Sequence, residues 1–284
     1  MSACEGAYPA LTDHSATADP LSSWLKDWLA VAEVARDPYV RSDLTEQERP
    51  ADISRRLALM IMDAKSDLGL AKRMLDRLGW THAGARLLPS RRIQARHGDF
   101  GEVLTLGLLR EVWGRAVPVV KLRVQTDPEQ SLHGTDLVGF VLTPGDAAGA
   151  IDTLEFVETK VRVTADNRSA AEAHAQLRAD GEGRFADALD FLHQQLGRTH
   201  SALLAAFENY LADRREGPLG CYRICLVYDC DVWREEVLQA LPEELVLPLS
   251  VDVVMIGELR ALIDEAWTTV GPDLLAESQE VSGS

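Results

Sequence analysis

The chain has 284 residues, of which 46% are hydrophobic, and its formal net charge is −16. This length and composition can bury a sizeable core, which excludes a largely disordered protein. No apolar stretch reaches the roughly 18 residues that a membrane span needs, and residues 1–20 lack the features of a secretory signal. We therefore expect a cytoplasmic protein with no membrane segment.

The acidic balance bears on nucleic-acid binding. A protein that binds DNA unaided usually presents a basic surface, because affinity follows the number of phosphates that it neutralises. The isolated chain is therefore predicted to bind nucleic acid weakly. Either it is not a nucleic-acid protein, or a partner delivers the substrate to it.

Four segments follow one another along the chain. Residues 1–20 are small and polar without periodicity and are expected to be disordered, and residues 271–284 are expected to form a flexible tail. Residues 21–90 carry apolar side chains at three-to-four spacing, which predicts an N-terminal helical region. Residues 91–270 are expected to form the main domain.

The main domain alternates between helical and strand-like patterns. A basic loop leads into a helix that is predicted to start near Asp99 and end at Gly114. Strands, helices and further strands follow, and the order predicts an α/β (α+β) fold with a mixed sheet flanked by helices. The predicted elements are strands at 117–125, 135–142 and 152–163, helices near 168–196 and 199–215 that Gly197 separates, two further strands and a final helix.

The third predicted strand carries charge on an apolar face. Side chains two apart share a face of a strand, so Leu154, Phe156, Glu158 and Lys160 line up. A buried carboxylate and ammonium are costly unless they pair or bind a metal. A surface salt bridge at a strand end is the alternative interpretation.

An aspartate lies at the start of the preceding strand. If residues 143–150 form the turn of a hairpin, Asp136 lies across from Glu158. Two adjacent carboxylates repel each other unless a cation joins them, and Mg²⁺ favours such oxygen ligands. The pair therefore indicates a candidate metal site.

The helix before the sheet supplies a third acid. Glu102 heads a stripe that continues with Leu106, Leu109 and Trp113. The alternative is that Glu102 belongs to a capping box with Asp99 at the start of the helix.

The sequence resembles two known families at these positions. The aspartate of Gly134-Thr135-Asp136, followed by a strand that ends Glu158-Thr159-Lys160, resembles the signature of PD-(D/E)xK nucleases. A threonine stands where that signature has proline before the aspartate. The longer runs at residues 98–109, 117–142 and 154–163 resemble the C-terminal domain of the HamA family, effectors of Hachiman anti-phage defence, and this resemblance covers roughly residues 90–265.

The resemblance implies a restriction-endonuclease-like core and metal-dependent hydrolysis of DNA. It makes Asp136, Glu158 and Glu102 metal ligands, for Mg²⁺ or alternatively Mn²⁺, and Lys160 the catalytic lysine; all four are the expected catalytic residues. The Mg²⁺ would activate water and polarise the phosphoryl oxygen, and Lys160 would orient that water or stabilise negative charge. The resemblance also implies a partner, a HamB-like superfamily 2 helicase.

Basic residues near the predicted helix are weaker candidates. Arg91, Arg92 and Arg96 precede or begin the helix and are candidates for contact with a phosphate backbone, or they form a solvated loop. Lys121 and Arg123 alternate with apolar residues and are expected on the solvent face of a strand.

Two other functions fit the same residues. A non-catalytic adaptor could keep the nuclease-like fold and use its acids for partner contacts. A nuclease that acts on RNA would need the same centre, because DNA and RNA share the scissile phosphodiester.

Overall fold

A mixed sheet forms the centre of the molecule. The computed structural model describes residues 24–90, 92–124, 135–143, 150–179, 185–213 and 220–278. The strands within these residues are β1 (Leu29–Arg36), β2 (Tyr39–Glu46), β3 (Leu137–Leu142), β4 (Ile151–Arg162), β5 (Gly220–Asp229) and β6 (Leu249–Ile256). They form a six-stranded sheet in the order β1-β2-β6-β5-β4-β3. The four inner strands are parallel, and β1 and β3 pair antiparallel at the two edges.

Helices cover the sheet on both sides. In chain order they are α1 (Trp24–Trp28), α2 (Ile53–Lys65), α3 (Leu68–Leu78), α4 (Trp80–Ala83), α5 (Ile93–Gly107), α6 (Lys121–Val124), α7 (Ser169–Ala179), α8 (Phe185–Thr199), α9 (Ser201–Asp213), α10 (Glu236–Gln239), α11 (Leu259–Thr269) and α12 (Pro272–Glu277). A π-helical turn, Leu108–Val112, continues α5. The predicted α/β architecture, a mixed sheet flanked by helices, is confirmed. Within the described ranges, no helix is both long and apolar enough to span a bilayer.

Two hydrophobic layers enclose the inner strands. Val227 and Val254 belong to a cluster with side chains of α1, α2, α5 and α11. Leu226 and Val253, their chain neighbours, belong to a second cluster with side chains of α7, α8 and α9. Successive residues of a strand face opposite sides, so a strand buried on both faces is apolar throughout. This explains why β5 and β6 have nearly continuous apolar sequences.

The prediction of helix throughout residues 21–90 is wrong for Leu29–Glu46. These residues form the hairpin of β1 and β2, and β2 pairs in parallel with β6. The apolar spacing of Trp24, Leu25 and Trp28 is helical, but it ends where the hairpin begins. Pairing with the edge of β6 is a long-range interaction, and it outweighs the local pattern. The hairpin therefore lies in the same sheet as the strands of the main domain.

The first strand predicted for the main domain is also wrong. Among residues 117–124 no strand forms, and Ala116 alone bridges to Phe140 of β3. Pro118 has no N–H to donate to a ladder, which limits pairing at this point. The chain instead turns into α6, so Lys121 begins a helix rather than lying on a strand.

Two helix boundaries differ from the prediction. Gly197 does not separate helices, because it lies inside α8, and the break falls at His200 between α8 and α9. The helix that carries Glu102 begins at Ile93 and not near Asp99. Its predicted end is confirmed, since Gly114 has a φ of 62°, in the left-handed region that glycine tolerates best.

Candidate active site

A cavity of ≈ 580 Å³ opens beside the last residues of β4. Its lining comes from α5, from the residue before β3, from the end of β4 and the residues that follow it, and from α7. The lining residues are Gln94, His97, Gly98, Glu102, Asp136, Glu158, Thr159, Lys160, Val161, Arg162, Val163, Thr164 and Gln176. The four residues predicted as catalytic, Glu102, Asp136, Glu158 and Lys160, are all among them.

The hairpin of β3 and β4 places Asp136 beside the end of β4. Leu137 pairs with Val157, so the preceding residue Asp136 falls level with Glu158. The Oδ2 atom of Asp136 accepts a hydrogen bond of 2.9 Å from the backbone N–H of Thr159. The predicted hairpin is confirmed, and it brings the two carboxylates to one edge of the sheet.

Glu158 and Lys160 form an ion pair on one face of β4. The Nζ atom of Lys160 donates to Oε1 of Glu158 at 2.7 Å and to Oε1 of Gln176 on α7 at 3.4 Å. The side chain of Glu158 is 1% exposed and that of Lys160 is 18% exposed. The pair therefore lies inside the cavity wall, and the alternative of a solvated surface salt bridge does not describe it.

Glu102 enters the cavity from the middle of α5. It is the tenth residue of the helix, and the residue before the helix is Arg92, so the capping box with Asp99 does not form. The Oε2 atom of Glu102 is buried and has no hydrogen-bond partner among the described residues. A buried carboxylate oxygen without a partner is costly, and a ligand in the cavity would supply one.

The surroundings of Glu102 disfavour its charge. Burial raises the pKa of the Glu102 carboxyl well above its usual range, and the negative charges of Asp136, Asp99 and Glu158 raise it further. Lys121 opposes them and lowers the pKa. Sequence reasoning placed Lys121 on a solvent face because it predicted a strand there. In the structure, the positive charge of Lys121 lies close enough to Glu102 to lower the pKa of that carboxyl.

A buried ion pair lies behind Glu102. The Nζ atom of Lys65, on α2, is 2.5 Å from Oδ2 of Asp99, three residues before Glu102 on α5. Both side chains are less than one tenth exposed. The ammonium of Lys65 also lies 5.2 Å from the ring centroid of Trp267 on α11. The sequence carries no local signal for this arrangement, because Lys65, Asp99 and Trp267 lie on three separate helices.

Sequence reasoning also missed part of the cavity wall. Gln94, Gly98 and Glu102 follow each other at intervals of four on α5, which places them on one face of the helix. That spacing is visible in the sequence, but it was hidden because the helix was predicted to start after Gln94. His97 lines the same wall, and burial lowers the pKa of its imidazole, with smaller contributions from Arg260 and Arg96.

Of the three arginines predicted to contact nucleic acid, Arg92 and Arg96 are described, and neither is among the residues that line the cavity. Arg91 lies outside the described residues. Arg92 is exposed at the start of α5, and Nη1 of Arg96 is 3.6 Å from Oδ1 of Asp264. Their role in binding a phosphate backbone remains a prediction.

The acids fit a divalent cation in chemistry but are not arranged as a complete ligand set. Three carboxylates line one cavity, and the buried Oε2 atom of Glu102 lacks a hydrogen-bond partner among the described residues. They match the oxygen donors that Mg²⁺ and Mn²⁺ prefer. Among the described residues, no group of three or more Asp, Glu, His or Cys side chains is placed to hold a metal ion. Asp136 and Glu158 instead accept hydrogen bonds from Thr159 and Lys160.

One family model covers most of this structure. The model of the HamA family matches residues 62–267. This range contains the four residues predicted as catalytic and all described strands except β1 and β2. No curated protein matches the chain. A match over well over half of the sequence establishes the family, and the chain belongs to the HamA family.

Proposed function

We propose that this chain is a metal-dependent deoxyribonuclease that acts as an effector of Hachiman anti-phage defence. The observation that carries the proposal is the meeting of Glu102, Asp136, Glu158 and Lys160 at one cavity. These residues come from a helix, a loop and a strand that are distant in sequence. Membership of the HamA family supports the role in defence.

Three acids of the cavity would hold the metal ion. Asp136 and Glu158 lie side by side at the sheet edge, and Glu102 faces them from α5. A bound Mg²⁺ or Mn²⁺ would lower the pKa of a coordinated water and polarise a phosphoryl oxygen. The same ion would offset the repulsion that the carboxylates of Asp136 and Glu158 exert on the carboxylate of Glu102.

The other polar groups of the cavity orient these acids and the substrate. The backbone N–H of Thr159 fixes the carboxylate of Asp136, and Gln176 and Glu158 hold the ammonium of Lys160 at the cavity wall. From this position Lys160 would donate a hydrogen bond to the attacking water or to a phosphoryl oxygen. A fixed ammonium stabilises the negative charge that develops on the phosphoryl oxygens during hydrolysis.

The net charge suggests how the activity is controlled. With −16 overall, the chain alone should attract DNA poorly, especially at physiological salt. A HamB-like superfamily 2 helicase would deliver the strand, and the nuclease would then act only where the helicase is engaged. Tight, salt-resistant DNA binding by the isolated chain would contradict this form of control.

A second candidate function is a non-catalytic adaptor. The observation that favours it is that Asp136 and Glu158 already bond to Thr159 and Lys160, with no complete ligand set among the described residues. An adaptor would use the acids for partner contacts. Its function would then survive the loss of Lys160.

Cleavage assays separate these functions. We would incubate the purified chain with plasmid DNA, linear DNA and RNA, in Mg²⁺ or EDTA, with and without the helicase and ATP. The proposal expects cutting of DNA that needs Mg²⁺ and that Glu158→Ala and Lys160→Ala abolish. Glu243→Ala, which removes an exposed acid that does not line the cavity, is the matched control. Preferential cutting of RNA would support the RNA-directed alternative, and no cutting under any condition would support the adaptor.

A further inference from the structure

Two of the three glycines in α5 are explained by packing inside the protein. A Cβ atom on Gly101 would overlap Cγ2 of Val161 on β4. A Cβ atom on Gly107 would overlap the side chains of Met60 and Leu25. At both positions the helix backbone lies directly against a neighbouring element, and only glycine permits such close contact.

The third glycine, Gly98, has no such explanation. A Cβ atom there would meet nothing within 4 Å among the described residues, and the residue is exposed. It is the sixth residue of α5, and its φ is not in the left-handed region where glycine is preferred. A glycine inside a helix makes that helix less stable than an alanine at the same position would. The space beside Gly98 is therefore kept open at some cost to the helix.

The open space belongs to the candidate site. Gly98 lies one helical turn after Gln94 and one turn before Glu102, and all three line the cavity. Independently, the Oε2 atom of Glu102 is buried without a hydrogen-bond partner among the described residues. The unsatisfied oxygen requires a cation or a hydrogen-bond donor, which the metal ion of the proposed function would supply, and the missing side chain leaves room beside that ion for the substrate against this face of α5.

We infer that the substrate strand crosses α5 on the face formed by Gln94, Gly98 and Glu102, with its sugar-phosphate backbone in contact with the helix at Gly98. The inference rests on the proposed nuclease function, since it identifies the ligand as a phosphodiester strand. Absence of a Cβ lets the strand reach the helix backbone. The uncharged amide of Gln94 can donate a hydrogen bond to a phosphate oxygen, and neither Gln94 nor Gly98 carries a charge that repels a polyanion.

The test adds side chains to Gly98 and measures both stability and substrate binding. Gly98→Ala should raise Tm by about 2 °C, because alanine favours the helix and meets no neighbour. The same variant should raise the KM for DNA cleavage about tenfold, since the added methyl group holds the strand away from the helix backbone and removes a contact that binds it. Gly98→Leu should raise the KM further. DNA binding, followed by fluorescence anisotropy of a labelled oligonucleotide without metal, should weaken in the same order.

Two control variants match these changes outside the cavity. Gly197→Ala alters another exposed helical glycine, in α8, where a Cβ would make only an ordinary contact of 3.8 Å with Leu204. Ala205→Leu adds a leucine to an exposed position of α9. Gly197→Ala should raise Tm as Gly98→Ala does, and neither control should change the KM.

The outcomes separate this inference from the proposed function. If the wild type cuts DNA and both Gly98 variants keep its KM and its affinity, the inference is wrong and the proposed function stands. A fall of Tm in Gly98→Ala would show that the glycine serves packing, which also contradicts the inference. If the wild type neither cuts nor binds any nucleic acid, even with the helicase, both are wrong.

Discussion

Asp136 and Thr159 are joined across the sheet edge by a hydrogen bond of 2.9 Å, from the backbone N–H of Thr159 to Oδ2 of Asp136. This bond fixes the aspartate beside Glu158, at the level where β4 extends past the start of β3. One backbone group thus orients an acid that the proposed mechanism requires.

The first prediction concerns Asp136→Asn. The amide oxygen of asparagine can accept the same bond from Thr159, so the fold should be kept, while the charge that attracts the ion is lost. We expect DNA cleavage to fall on the order of 10²-fold or more, with an unchanged Tm in EDTA. Cleavage rates and thermal denaturation would be measured together. Wild-type cleavage by this variant would exclude Asp136 as a metal ligand.

The second prediction concerns Glu102→Gln and pH. Burial and neighbouring acids raise the pKa of Glu102, so the folded chain binds its proton more tightly than the unfolded chain does. Stability is then lost as pH rises above the usual carboxyl range. In EDTA at pH 8, Glu102→Gln should raise Tm by at least about 2 °C, which corresponds to ~1 kcal/mol in a chain of this size. The gain should shrink towards pH 4, where both states carry the proton. An equal gain at both pH values would contradict this origin.

The third prediction separates metal binding from chemistry. Lys160→Met removes the ammonium that Glu158 now binds, which leaves Glu158 more available to an ion. Addition of Mg²⁺ should therefore raise the Tm of this variant at least as much as that of the wild type. DNA cleavage should nevertheless fall by about 10²-fold to 10³-fold, because the group that stabilises developing charge is gone. Loss of the Mg²⁺ effect on Tm would mean that Lys160 serves the structure of the site and not its chemistry.

The fourth prediction concerns the ion pair behind the site. Lys65→Met leaves the buried carboxylate of Asp99 without its cation, which typically costs about 3–5 kcal/mol. Replacement of both partners, Lys65→Met with Asp99→Asn, should recover most of that loss. Urea denaturation of the single and double variants would measure it. A single variant as stable as the wild type would show that the pair contributes little.

The part of the site that could be predicted from the sequence is local. Asp136, Glu158 and Lys160 belong to one hairpin, whose alternation and short turn define the register. That register places Asp136 level with Glu158 at the same edge of the sheet. Glu102 was a weaker candidate, because the same letters fit a capping box until the structure placed the helix start at Ile93.

The rest depends on contacts between distant segments. No local pattern shows that Lys65 reaches Asp99 or that Lys121 lies near Glu102, since each contact depends on how separate helices pack. The hairpin of β1 and β2 was missed for the same reason: its second strand is held by β6, about two hundred residues later in the chain.

The most direct test of the central claim is single-turnover cleavage of an end-labelled DNA duplex by the wild type and by Glu158→Gln, in Mg²⁺ and in EDTA, with the helicase and ATP present. We expect the wild type to cut only in Mg²⁺, and we expect Glu158→Gln, equally folded, to cut at least about 10²-fold more slowly. Equal rates for the two proteins, or cutting that persists in EDTA, would contradict the assignment of this cavity as a metal-dependent nuclease centre.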